Sequence, residues 1–175
     1  MKPAAYALHD YLRPPRMDKT GRVSRSLYFD IAFDPRENSG ASIRVYDRGI
    51  MLPIDRHLLE QSACTHAHLT EMTIYHSDSY FAMWPVRVRS KDYIRIKDVF
   101  AAIYETFHRS IKSEDRITED HRRHAEPHRE KRRQYEYNGR QCLLRVDILR
   151  SHRVFAGIEQ DGINYRLYLK SYADP

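Results

Sequence analysis

The chain has 175 residues, of which 41% are hydrophobic and 11% aromatic, and its formal net charge is +6. This length and apolar content predict one domain with one core, because two ordinary domains would each need a core of their own. No stretch approaches the ~20 apolar residues of a membrane-spanning helix, and two cysteines are too few for a disulfide framework. We therefore expect a soluble intracellular protein, cytoplasmic or nuclear, with reduced thiols.

The N-terminal third of the chain predicts an irregular arm followed by strands. Residues 1–23 show no regular period and are predicted as an arm ahead of a single domain over residues 24–175. Alternating apolar residues predict a half-buried strand over 27–33, and residues 43–46 predict a weaker one. Residues 47–59 are predicted as a loop with one short helical turn.

Two further pairs of strands are predicted as hairpins. Residues 69–76 and 80–89 are rich in β-forming residues and are separated by a Ser-Asp-Ser turn. Pro85 lacks a backbone donor, which favours an edge position or a bulge for the second strand of that pair. Near the C-terminus, an Asp-Gly turn separates residues 154–159 from 163–169.

Helical periodicity appears between the two hairpins. Apolar residues at three- and four-residue steps predict a helix over 97–111 that packs on the sheet. A second, charged helix is predicted from Ser113 to Tyr135, with Pro127 kinking or splitting it. The sequence therefore predicts an α+β fold, with an antiparallel sheet, a central packed helix and a second charged helix.

Four short motifs between residues 63 and 169 resemble those of one protein family. In chain order they are Ala63-Cys64-Thr65-His66-Ala67, Trp84-Pro85-Val86-Arg87-Val88, Asp98-Val99-Phe100, and Arg145-Val146-Asp147-Ile148-Leu149 followed by Phe155-Ala156-Gly157. Their order and spacing resemble the fungal domain of unknown function 6699. The first motif has lost the family's prolines, and Arg95 stands where the family usually has a capping threonine. The resemblance implies a shared fold and a fungal source, and it implies no catalytic residue.

A pair of charged residues interrupts the apolar segment 142–149. Arg145 and Asp147 are two residues apart, so on a strand both lie on the same face. In one interpretation they are an ion pair that orients a ligand, with His152 nearby as an acid or base. We favour a structural interpretation, in which Asp147 accepts arginine or backbone hydrogen bonds and locks the connection between helix and hairpin.

Two sets of residues have spacings that occur in metal sites. They are Cys64, His66 and His68 with His76 across the first hairpin, and the stripe His121, His124 and His128 on the second helix. The first set offers only Glu71 as a nearby carboxylate, and Pro127 disturbs the second. We therefore predict no metal and no cofactor, although neither set is excluded by its spacing.

The densest basic run lies on the second predicted helix. It comprises Arg122, Arg123, Arg129, Lys131, Arg132 and Arg133. Glu126 and Glu130 lie inside the run, and the helix begins with acidic residues, so much of the basic charge complements the helix itself. Nucleic-acid binding by this helix is therefore the third functional hypothesis.

The leading hypothesis is a noncatalytic binding or interaction module for an unknown protein partner or small molecule. Arginine and tyrosine, which are enriched at interfaces, are abundant, and the familiar catalytic and nucleotide-binding motifs do not occur. The alternative is a metal-independent small-molecule enzyme or ligand carrier with a pocket between the sheet and the central helix. Trp84 and Tyr104 are candidates to line that pocket, and Arg145, Asp147 and His152 to serve it. The oligomeric state is left open.

Overall fold

Seven strands and four α-helices make up the fold within residues 6–37, 42–65, 68–135 and 140–172, the residues that the computed structural model describes. In chain order the strands are β1 (Ser26–Phe29), β2 (Ile43–Asp47), β3 (Ile50–Pro53), β4 (Glu71–His76), β5 (Val86–Arg89), β6 (His152–Asp161) and β7 (Asn164–Ser171). The helices are α1 (Arg56–Leu59), α2 (Ile96–Phe107), α3 (Glu119–Tyr135) and α4 (Arg145–Ile148), and a 3-10 turn spans Asp10–Leu12. No helix in these ranges is long and apolar enough to cross a bilayer.

The strands form two sheets. The small sheet has the order β1-β2-β3 and the large sheet the order β5-β4-β7-β6. Pairing is antiparallel except between β4 and β7, which are parallel. A parallel pair needs a long connection, and three helices lie between these two strands along the chain. The prediction of an α+β fold with antiparallel pairing is confirmed. The expectation of one sheet joined only by hairpins was wrong, since β1 meets the large sheet through a single bridge between Asp30 and Val154.

The first predicted strand is shorter than its apolar alternation suggests. β1 ends at Phe29, and the chain then turns at Ile31, whose N–H donates to the carbonyl of Arg153 at 3.0 Å. Phe33 is consequently 45% exposed rather than in the core. Asp30, predicted on the solvent side, is buried, with a carboxylate oxygen 2.9 Å from Nε of Arg153.

The stretch predicted as a loop contains a β-hairpin as well as the expected helical turn, α1. β2 and β3 are joined by Arg48 and Gly49, whose φ angles of 51° and 82° are both positive, as a two-residue hairpin turn requires. β3 is the edge strand of the small sheet, and all four of its residues are exposed. An apolar edge strand therefore faces solvent.

The two predicted hairpins are partly confirmed. β4 forms as expected, but residues 77–84 make turns, so β5 begins only after Pro85. β5 is an edge strand, as the proline predicted. β6 and β7 form the closing hairpin and are longer than predicted, while Ile163 lies in their turn and is 76% exposed.

Helix α2 joins the two sheets through one aromatic side chain. The ring of Phe100 packs edge-on against Phe29 of the small sheet and Phe155 of the large one, at centroid distances of 5.1 and 5.0 Å. At the start of α2, the backbone N–H of Arg95 donates to the Asp98 carboxylate at 2.9 Å. This contact caps the helix without the threonine that the family's motif usually supplies.

The charged helix and the segment after it differ from the prediction. α3 begins at Glu119 rather than near Ser113, because the hydroxyl of Thr118 accepts the N–H of His121 at 3.2 Å and caps the helix. α3 continues through Pro127 without splitting. The segment expected to be extended around Arg145 instead forms the short helix α4.

The N-terminal arm contributes to the core, although it is irregular. Leu8 and Leu12 are buried, and the N–H of His9 donates to the carbonyl of Ala63 at 2.8 Å. The arm then crosses β6 at Gly157, which has a φ of 132°. A Cβ at Gly157 would lie 2.4 Å from N and 2.6 Å from Cα of Pro14.

Replacing Gly157 tests this close approach. Gly157→Ala should lower the free energy of unfolding by about 2–3 kcal/mol, since both the backbone conformation and the contact with Pro14 oppose a side chain. The control is Gly21→Ala, where φ is also positive but no atom lies within 4 Å, and which should cost about 1 kcal/mol. Equal losses in urea unfolding would contradict the packing of the arm against β6.

Candidate functional site

Trp84 and Arg145, two of the predicted site residues, lie together in a buried cluster around Asp115. The indole Nε1 of Trp84 donates to Oδ1 of Asp115 at 2.8 Å, and Nη2 of Arg145 lies 3.6 Å from the same oxygen. The guanidinium of Arg145 also stacks over the Trp84 ring, 5.1 Å from its centroid. Because Trp84 is fully buried, this cluster presents no surface to a ligand, and it ties the loop before β5 to the loop before α3.

Asp147 has a different arginine partner from the one expected. Nε and Nη2 of Arg132 donate to its two carboxylate oxygens at 2.8 and 3.0 Å, and the N–H of Leu144 donates at 2.8 Å. The expected pair of Arg145 with Asp147 was wrong, since residues two apart on a helical turn do not share a face. Asp147 nonetheless accepts the arginine and backbone hydrogen bonds that its structural interpretation requires.

Arg132 is the one member of the basic run that is buried, within the described residues. Its side chain is 1% exposed, that of Asp147 2%, and its Nη2 also donates to the carbonyl of Cys142 at 3.0 Å. The neighbouring Arg129 and Arg133 form ion pairs with glutamates one turn away on α3, at 2.7 and 3.2 Å. Three of the six basic residues of the run are therefore committed to contacts within the protein.

The other two predicted site residues, Tyr104 and His152, lie apart from the pair Trp84 and Arg145. Tyr104 stacks on His108 at a centroid distance of 3.8 Å, and His152 is exposed at the start of β6. Of the five predicted residues, the structure thus brings Trp84 and Arg145 into contact. Asp147, Tyr104 and His152 have their contacts elsewhere.

The histidines proposed as metal ligands make separate contacts. On α3, His121 stacks on Tyr80 at 4.4 Å, and His124 lies 2.8 Å from the carbonyl of Asp120. His128 is partly buried, while His68 lies against Tyr93. Among the residues that the structure describes, no group of three or more His, Cys, Asp or Glu side chains could hold a metal ion. His66 lies outside the described residues.

Removing the Asp147 carboxylate tests its structural role. Asp147→Ala leaves the Arg132 charge buried without its acidic partner, which should lower the free energy of unfolding by about 3–5 kcal/mol. Arg133→Ala on the same helix is the control and should change stability by less than about 1 kcal/mol, because Arg133 is exposed. An Asp147→Ala variant as stable as the control in urea unfolding would exclude the proposed role.

His108 is buried in the core, and His76 is partly buried beside it. His76 accepts the N–H of Asp78 at 2.9 Å and packs edge-on against Phe81, while His108 contacts the carbonyl of Ile31 at 2.9 Å. Burial lowers the pKa of each from about 6.5 to about 4. Both rings therefore stay neutral in the folded protein at pH values where the unfolded chain is protonated.

Stability should consequently fall as the pH decreases from 6.5 towards 4, by up to about 1.4 kcal/mol per pH unit for each histidine. We expect urea unfolding at pH 7.5 and 5.5 to show this loss, and His76→Phe to reduce it because phenylalanine has no charge to acquire. His152→Ala, at an exposed histidine, should leave the loss unchanged. The same loss in the wild type and in His76→Phe would contradict the burial of a neutral His76.

A cleft of about 590 Å³ lies where the two sheets separate. β1 and β6 diverge beyond the Asp30–Val154 bridge, and the N-terminal arm closes one side of the gap between them. Its lining residues are Arg13, Pro15, Val23, Ser26, Leu27, Tyr28, Tyr46, Met51, Val154, Phe155, Ala156, Lys170, Ser171 and Tyr172. Apolar and aromatic side chains dominate this set, its charged members are both basic, and it includes none of the five residues predicted from the sequence.

The sequence carries only a weak local signal for this cleft. Its lining comes from the arm, the small sheet and the last two strands, which are far apart along the chain. The run Ile50-Met51-Leu52 directly after an Arg-Gly turn is the one local feature that could have indicated an exposed apolar hairpin.

The structure defines an α+β domain of two sheets with an apolar cleft between them. The chain matches the model of a family of unknown function (DUF6699) over residues 27–164. Because the match covers well over half of the chain, the chain belongs to this family, and the resemblance found in its motifs is confirmed. No curated protein and no solved structure matches the chain significantly. Family membership therefore brings no known activity to the cleft.

Proposed function

We propose that the chain is a noncatalytic interaction module that binds a protein partner at the cleft between its sheets. The observation that carries this proposal is the clustering of exposed apolar side chains. The described residues include eleven large hydrophobic side chains that are exposed. Four of them line the cleft, namely Val23, Tyr46, Met51 and Tyr172, and a fifth, Met17, pairs with Val23 in the arm. A contiguous exposed apolar surface is typical of an interaction site.

The extent of this surface favours a protein partner over a small molecule. The cleft volume lies in the range of ligand pockets. However, the exposed apolar surface continues beyond the cleft in the arm, where Met17, the bridge partner of Val23, is outside its lining. A small ligand in the cleft leaves Met17 in water, whereas a polypeptide segment can cover it. Tyrosine and methionine, which recur at interfaces, both contribute to the surface.

The ligand-carrier hypothesis remains the second candidate, at this cleft rather than between the large sheet and α2. Nucleic-acid binding is less well supported, since Arg132 is buried and Arg129 and Arg133 are ion-paired. We place the protein in the cytoplasm or nucleus, where Cys64 and Cys142, both free, stay reduced. The fungal source that the motifs imply belongs to this proposal as well.

Selection from a random peptide display library tests the proposed function. Peptides selected on the immobilised chain should bind the wild type and lose about tenfold or more in affinity to Met51→Glu, which places a charge in the cleft. The matched control is Ile163→Glu, which adds the same charge at an exposed apolar residue in the turn before β7. Failure to select peptides, or peptides weakened equally by both variants, would contradict binding at the cleft.

A further inference from the structure

We propose that the partner segment is extended and acidic, and that it inserts an aromatic or bulky aliphatic side chain into the cleft while its carboxylates contact Arg44 and Lys170. This inference rests on the proposed function and names the chemistry of the partner. Three independent features of the cleft support it: the balance of charge at the rim, the composition of the walls, and the edge of β3.

The rim of the cleft has basic groups without acidic partners. Three acidic side chains in or next to the arm and the small sheet are each already paired with an arginine: Asp10 with Arg13 at 3.4 Å, Asp30 with Arg153 at 2.9 Å, and Asp47 with Arg25 at 2.9 Å. Lys170 lines the cleft, and Arg44 lies beside Tyr28 on the same outer face of the small sheet. Neither has an ion pair within the described part of the chain, so both can donate hydrogen bonds to carboxylates of a partner.

The walls of the cleft suit an aromatic side chain. Tyr28, Tyr46 and Tyr172 line it together with Met51, and Arg153 stacks over the Tyr172 ring at 5.2 Å, which fixes one wall. Aromatic rings pack well against other rings at offset or edge-on angles, and the methionine thioether adapts to their outline. An inserted aromatic or large aliphatic group therefore gains apolar contacts on several sides.

The edge of β3 favours recognition through side chains rather than strand addition. In a two-residue hairpin the residues flanking the turn bond to each other, so Ile50 and Leu52 direct their backbone groups towards β2. Met51 and Pro53 are left to face outwards, and Pro53 has no N–H to donate. An added strand thus finds few hydrogen-bonding groups on this edge. An extended segment still presents alternate side chains to one face at ~6.6 Å intervals, so one of them can enter the cleft while its neighbours on that face contact the rim.

Two synthetic peptides of matched composition test the charge assignment. One alternates glutamate with tryptophan and leucine, and the other has lysine at every glutamate position. By fluorescence anisotropy the acidic peptide should bind the wild type about tenfold more tightly than the basic one. Arg44→Glu combined with Lys170→Glu should reverse this preference. The control variant, Arg87→Glu with Arg89→Glu on the edge strand β5, should keep it.

Each other outcome overturns the inference in a distinguishable way. Equal binding of the two peptides by the wild type means that Arg44 and Lys170 do not select the partner. A reversed preference in the β5 control variant means the same. If display-selected peptides depend on Met51 but carry no acidic residues, the acidic assignment fails while the proposed function stands. If dodecanoate binds more tightly than the acidic peptide and displaces it, the occupant is an apolar carboxylate small molecule and the peptide assignment is wrong.

Discussion

The close approach of the arm to Gly157 is the constraint on which the cleft depends. Only a residue without a side chain lets Pro14 cross β6 at this distance, and the crossing brings Arg13 and Pro15 to the gap between the sheets. At the other end of the gap, β1 and β6 are joined by the bridge at Asp30 and by the contacts of Arg153 with Asp30 and Ile31. The Phe-x-Gly motif of the family thus has a structural explanation, since its glycine positions a segment that lies before the matched residues.

Buried charges organise the other end of the molecule. Asp147 and Asp115 each receive an arginine and a backbone N–H, and together they fix α4 and the loops on either side of α3. Such ion pairs favour a single arrangement of these segments, because separating the partners leaves an uncompensated charge in the core. The cluster at Asp115 also uses the indole of Trp84, so Trp84, Arg145 and Asp147, which belong to two of the four motifs, serve the fold. We propose that Arg44 and Lys170, near the rim of the cleft, are basic groups available for recognition.

The sequence predicted those elements whose local pattern agrees with their tertiary environment. Helix α2 and the closing hairpin have strong periodicity, and both form close to where they were expected. The segment around Arg145 resembles a strand locally but is a helical turn, because Asp147 bonds to Arg132 and to the backbone of Leu144. The five candidate site residues lie outside the lining of the cleft for a related reason. Polar residues in apolar segments mark buried ion pairs, whereas the cleft is built from apolar residues that only the fold brings together.

We propose that the cleft between the sheets is the surface that binds a partner. Amide-resolved NMR titration with a display-selected peptide tests it most directly, because it reports every contacted element at once. The largest changes in amide chemical shift should occur at Tyr46, Met51 and Tyr172, with smaller ones along the arm. Shifts concentrated on α3, with the cleft unchanged, would contradict it.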